Sequence, residues 1–166
     1  MNLAARLRDA SPNDSELVFG IFRDAMRPYV ELVRGGWDEA TELALHKERY
    51  GRQRCRIVVA GDTDAGYVST AVYPEASAAY PAGLYLHHLM IRPAFQSKGI
   101  GSLCLKWLDE EARQLGMALN LRVLRVNPRA LSFYLASGGA VVGESESHMF
   151  VRMVEEARRE REWLPS

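Results

Sequence analysis

The stretch Leu89-Met90-Ile91-Arg92-Pro93-Ala94-Phe95-Gln96-Ser97-Lys98-Gly99-Ile100-Gly101-Ser102 carries the residue types that a phosphate site needs. An apolar run stops at Pro93, a short turn follows, and Gly99 and Gly101 stand where a helix begins. Glycines there let the backbone turn sharply and approach a ligand closely. The amides of a first helical turn lack intrahelical partners and, with the positive end of the helix dipole, face an anion. Two other phosphate motifs fit poorly. A Walker loop needs Gly-Lys-Ser/Thr, whereas Lys98 precedes its glycine, and a dinucleotide fingerprint needs a third glycine where Cys104 stands. The residues alone leave two readings: an anion-holding loop, or a plain glycine-rich turn before a helix.

A second stretch, Leu121 to Gly138, reads as a strand, then Asn127 at a helix entrance, then Tyr134 seven residues on. Together, Gln96-x-x-Gly99-x-Gly101 and Asn127-x-x-Ala130-x-x-x-Tyr134-x-x-x-Gly138 resemble the GNAT superfamily of acetyl-CoA-dependent N-acetyltransferases. The element order is similar to that family from the first strand to about Met153. The resemblance implies acetyl-CoA as co-substrate and no metal. In it, the backbone of Leu89, Met90 and Ile91 pairs with the pantetheine arm like an added strand. Gln96 opens the motif, and the amides of Ser97, Lys98, Gly99, Ile100, Gly101 and Ser102 hold the pyrophosphate. Asn127 contacts the cofactor, and Tyr134 meets its sulfur as the general acid that protonates the departing thiolate. A pyrophosphate favours donors at a helix N-terminus, and an amide-rich arm favours an exposed strand backbone.

For the general base, the family often sets a carboxylate or imidazole on the strand before the glycine loop, here Tyr85-Leu86-His87-His88-Leu89. Tyr85 stands where some members carry a catalytic Glu. His87 shares its face by period-two alternation and matches a His of arylalkylamine-type enzymes, while His88 points the other way. An imidazole titrating near neutrality suits proton removal from an ammonium or its attendant water, although His87 also fits a hydrogen-bonded sheet residue. Some members place a Glu at the position of Arg122, a route this chain lacks. Gly138-Gly139 replaces the family's Gly-Phe, a change expected to leave the chemistry alone.

Acceptor recognition falls, by resemblance, to the first two helices and the loop before the last strand. Tyr29 and Trp37 are candidate walls of an amine pocket, Tyr85 is a further candidate substrate contact, and Glu31, Asp38, Glu144 and Glu146 are candidate attractors of a cation. Each also has a plain structural reading, as core aromatic or solvated carboxylate. No motif marks Cys55 or Cys104 as an activated nucleophile, so direct attack on acetyl-CoA in a ternary complex is expected. The acceptor is then a small-molecule or peptide primary amine. The alternatives are a non-catalytic acyl-CoA-binding module on the same fold and a nucleotide-phosphate binder.

The elements that must position these residues follow from periodicity. Leu3 to Arg8 is a strand candidate, and Ser11-Pro12-Asn13-Asp14 opens a helix whose Leu17, Val18, Ile21, Phe22, Ala25 and Met26 form one stripe. A second helix runs from Trp37 to about Tyr50. Ile57–Ala60 and Tyr67–Tyr73 read as strands joined by a loop over Gly61–Gly66, and Leu84–Ile91 as a third. A helix from about Gly99 to Leu115, a strand over Ala118–Val126, a short helix over Pro128–Ser137 and a closing strand pair complete the order. This pattern predicts an α/β fold: one mixed, mostly antiparallel sheet of about seven strands flanked by about four helices.

The whole chain sets outer limits. Its 166 residues suit one domain, expected over residues 1–154, with a charged tail over residues 155–166. Lys plus Arg is 21 and Asp plus Glu is 21, so no cationic surplus argues for nucleic acid. Two cysteines make no disulfide framework, and no stretch suits a signal core or membrane span. A cytoplasmic protein without a membrane partner is expected. The resemblance adds a possible homodimer.

Overall fold

Ser11 shows how local chemistry starts the fold. Its amide and hydroxyl both donate to the Asp14 carboxylate, at 2.8 and 3.1 Å, closing a capping box around the 3₁₀ turn Pro12–Asp14. Arg8, on strand β1 (Ala5–Asp9), grips the same carboxylate through two nitrogens at 2.9 Å. Helix α1 (Ser15–Arg34) therefore leaves the first strand at a fixed angle. Its stripe buries Val18, Phe19, Ile21, Phe22 and Val30, and Gly35 ends it in the left-handed conformation at φ 80°. Asp38 then caps α2 (Glu39–Tyr50) by accepting from the Thr41 amide at 2.7 Å.

The structure is a computed structural model, which describes residues 4–154. Among the described residues, four α-helices flank seven strands in the order β1-β2-β3-β4-β5-β7-β6. The remaining strands are β2 (Arg54–Ala60), β3 (Thr63–Tyr73), β4 (Gly83–Ile91), β5 (Leu119–Leu124), β6 (Gly139–Glu144) and β7 (His148–Met153). The pairs β1–β2, β2–β3, β5–β7 and β6–β7 are antiparallel. Strands β4 and β5 are joined through α3 (Ile100–Gln114), the crossover that a parallel pair requires. The expected mixed α/β architecture is what forms. The expected tail after Val154 lies outside the described residues.

Two compact units share the chain. One runs to Ala71 and resumes over Leu86–Lys106. Its core gathers Val18, Phe19, Ile21, Phe22, Ile57, Val59 and Tyr67. Burial of such side chains stabilises by roughly 1.5–3 kcal/mol each. Strand β3 begins at Thr63, earlier than the polar run Asp62-Thr63-Asp64 suggests. Asp64 sits in the ladder opposite Val59 and takes a 3.3 Å bond from Arg8, so pairing outweighs polarity. Gly66 is needed for contact: a Cβ there would meet the Met90 carbonyl oxygen at 2.1 Å.

The other unit holds Val72–Tyr85 and the chain from Trp107 onward. Strand β5 pairs with β7 so that Asn120 faces Arg152, Arg122 faces Phe150 and Leu124 faces His148. Leu84 donates to the Ala118 carbonyl at 3.0 Å, tying the start of β4 to the approach to β5. Helix α4 (Pro128–Ala136) packs on β6. Gly139 lies so close that a Cβ would sit 2.9 Å from the Tyr134 carbonyl oxygen and 2.7 Å from Val151. A glycine at this position thus lets β6 lie close against α4.

Candidate active site

In the first unit, the turn after β4 is held by the chain's own bonds. The Gln96 side-chain amide donates to the Ile91 carbonyl at 2.7 Å and closes the turn around the 3₁₀ segment Pro93–Phe95. Ser97 and Gly99 both adopt left-handed backbone, at φ 57° and 77°. Alternation into that conformation swings successive amides toward one side, a geometry that holds anions. Leu103 donates to the Gly99 carbonyl at 3.0 Å, so the Ile100, Gly101 and Ser102 amides belong to the opening turn that intrahelical bonding leaves unpaired. The space a Cβ of Gly99 would occupy is open. Lys98 holds its ammonium 5.6 Å from the centre of the Phe95 ring. The left-handed demand falls on Ser97 and Gly99; Gly101 lies inside α3 and has no such need. This donor set fits a pyrophosphate.

Burial along β4 changes at His87. Residues 83–86 are buried, whereas His87, His88, Leu89, Met90 and Ile91 are half-buried. His88 faces α1: its Nδ1 lies 3.2 Å from the Tyr67 hydroxyl and its ring 5.2 Å from Phe22. It also lines a cavity of about 20 Å³ with Glu42, His46 and Cys55, room for about one water rather than an acceptor. Alternation gives His87 the opposite face. His46 packs at a tilt against Phe19 and Tyr50 and meets Ser15 at 3.1 Å, and burial pushes its pKa down. It links α1 to α2.

In the second unit, the Asn127 side-chain oxygen Oδ1 accepts from the Ala130 amide at 3.1 Å and caps α4. Tyr134 follows two turns later, buried, with its ring 5.1 Å from Phe133. Among the described residues its hydroxyl makes no hydrogen bond. Burial pushes the phenol well above its usual range, so it carries its proton at neutral pH. Tyr85 is buried too, and its phenol is pushed up to about 12 by burial, partly offset by the Arg122 charge. Such a group is a poor base near neutrality.

The candidate acceptor residues are mostly occupied in holding the fold. Trp37 packs 6.2 Å from Phe22 and donates to Glu39 at 2.6 Å. Glu31 pairs with Arg27 at 2.8 Å, Asp38 caps α2, and Glu144 pairs with Arg125 at 3.3 Å. Tyr29 is half-buried on α1, and Glu146 is exposed. Burial pushes the Cys55 and Cys104 thiols up to about 12, which keeps both protonated and unreactive. Among the described residues, no three His, Cys, Asp or Glu side chains cluster as metal ligands. No helix there is long and apolar enough to cross a membrane. Sequence reasoning passed over Tyr73 and Tyr80, which stack at 4.4 Å; the only signal was an aromatic before Pro81 in a loop of small residues.

Residues 19–138 match the family model described as the acetyltransferase (GNAT) family. The chain belongs to that family. Over 78 residues this GNAT chain is 36% identical to bovine (Bos taurus) thialysine N-epsilon-acetyltransferase. The match covers 46% of each protein, so the chain spans about half the length of the curated relative it matches. Its fold is similar to an acetyltransferase from Thermus thermophilus, with a TM-score of 0.69 at 22% identity over 92% of this chain and 98% of that one. It is also similar to the PaiA N-acetyltransferase of Thermoplasma acidophilum, solved in complex with coenzyme A. There the TM-score is 0.67 at 18% identity, over 90% of this chain and 98% of that one.

Proposed function

We propose that this GNAT protein moves an acetyl group from acetyl-CoA to a primary amine by direct attack in a ternary complex. The observation that carries the reading is the left-handed turn at Ser97 and Gly99, latched by Gln96 and opening onto the first amides of α3. Acetyl-CoA supplies the acetyl group as an activated thioester. The amides from Ser97 to Ser102 hold its pyrophosphate, and the half-buried backbone of Leu89, Met90 and Ile91 receives the pantetheine arm. Asn127 keeps α4 capped, with its side-chain NH₂ left to meet the cofactor. His87 takes a proton from the amine, and the Tyr134 hydroxyl gives one to the departing sulfur. The Tyr134 phenol keeps its proton at neutral pH and so has one to give, and the high thiol pKa of both cysteines disfavours an acyl-cysteine route. The amine specificity in the bovine relative's name supports an amine acceptor here.

Two measurements test the reading. A ligand held only by the folded chain stabilises it by about 2.7 kcal/mol at a hundredfold excess over Kd. Millimolar acetyl-CoA and CoA should therefore raise Tm, and an unmoved melting curve would sink the proposal. Free-thiol release on an amine panel should exceed the amine-free rate. Binding without any release would instead mark a module that holds acyl-CoA and does not turn it over.

A further inference from the structure

Three tyrosines gather in the second unit, beside the strand that carries Arg122. The Tyr73 and Tyr80 rings stack at 4.4 Å with 6° between their planes, and Tyr85 stands edge-on to Tyr80 at 4.9 Å and to Tyr73 at 6.1 Å. The loop carrying Tyr80 is pinned: the Asn120 side chain donates to the Ala82 carbonyl at 3.2 Å, and Arg152 donates to Asn120 at 2.9 Å. Arg122 stands two residues after the buried Asn120 on the same face of β5. Its charge acts on the Tyr73 and Tyr85 phenols and on His148. Arg122 is exposed and, among the described residues, makes no ion pair. Arg125, three residues on, is committed to Glu144 and the Ser145 carbonyl.

We infer that Arg122, on the strand next to Tyr85, receives a carboxylate carried by the amine acceptor. The inference rests on the acetyltransferase reading and narrows it to amines that bear an acid. A planar guanidinium presents a fork of donors matched to a carboxylate. A fixed cation here repels a purely cationic acceptor such as a polyamine. One guanidinium among neutral phenols balances one negative charge, which suits a carboxylate better than a phosphate monoester carrying nearly two.

The test compares amino acids with the amines left by their decarboxylation: lysine with cadaverine, ornithine with putrescine, phenylalanine with phenethylamine. For at least one pair, kcat/KM should favour the acid-bearing member tenfold or more, chiefly through KM. Arg122→Gln should collapse that ratio at least tenfold, the scale of a lost charge-assisted bond. Arg122→Lys should keep part of it, and Arg125→Gln should keep it whole. Calorimetry on the CoA-loaded protein with the same pairs reads the preference even without turnover. The inference is overturned if the decarboxylated amines are used or bound as well as the acids, if no acid-bearing amine is used or bound, or if Arg122→Gln leaves the ratio unchanged. Failure of the acetyltransferase reading shows separately, as an absent thermal response to acetyl-CoA.

Discussion

Tyr134→Phe deletes a hydroxyl that has no hydrogen-bond partner among the described residues and keeps the ring against Phe133. Packing and cofactor affinity should persist while kcat falls on the order of 10²-fold or more, the scale of a positioned acid. Full turnover with a lowered Tm would instead assign Tyr134 to packing. The two histidines of β4 separate in another way. His88→Ala gives up the Tyr67 hydroxyl and the Phe22 ring and should lower Tm more than rate. His87→Ala should slow turnover mainly at low pH, where few amine molecules are already neutral. Overlaid pH–rate profiles for the parent and His87→Ala would remove His87 as the base. The glycine turn and the place of Tyr134 two turns into α4 were legible in the sequence because each follows from spacing within one local stretch. The grouping of tyrosines beside the strand of Arg122 was not, because the sheet assembles it from β3, a loop, β4 and β5, and no spacing along the chain records that. Gln96 and Asn127 stood out by motif, yet their visible bonds close a turn and cap a helix.

Asp14 joins β1 to α1, and its carboxyl is held well below the usual range, first by Arg8 and then by the Ser11 amide. A depressed folded pKa adds stability that is whole above the unfolded value of about 4 and is lost as pH falls through the folded one. Asp14→Asn should therefore cost about 1 kcal/mol at neutral pH, and the Tm gap from the parent should narrow as pH drops below about 4. A gap that stays constant down to pH 2 would refute the linkage. Gly66→Ala tests the β3–β4 seam, where a methyl would strike the Met90 carbonyl. Backbone must shift to admit it, so a loss of about 1–3 kcal/mol is expected, read by denaturant melts. An Ala variant as stable as the parent would show that the strands have room to separate. Helices were the most legible elements, since the α1 stripe repeats its apolar residues at a spacing that only a helix aligns. The start of β3 was hidden because ladder pairing overrode a polar run that reads as a turn.

At the scale of the whole molecule, the last backbone bond of the described sheet is Val154 to the Gly138 carbonyl at 3.1 Å. The sequence beyond it is mostly charged and offers little to bury. A chain ending at Val154 should melt within a few degrees of the full chain and show the same acetyl-CoA shift. A large loss of Tm would make residues 155–166 part of the fold. Charge balance across the molecule, 21 against 21, likewise predicts no retention on a polyanion column near 0.15 M salt. The Gln96 latch bears on when ordering takes place. Because its side chain already holds the turn after β4, most of the entropy of fixing those residues is lost during folding rather than on encounter with a ligand. Binding heats should then reflect contacts and water release, and hydrogen exchange at residues 97–102, fast while their amides are open, should slow when acetyl-CoA is added.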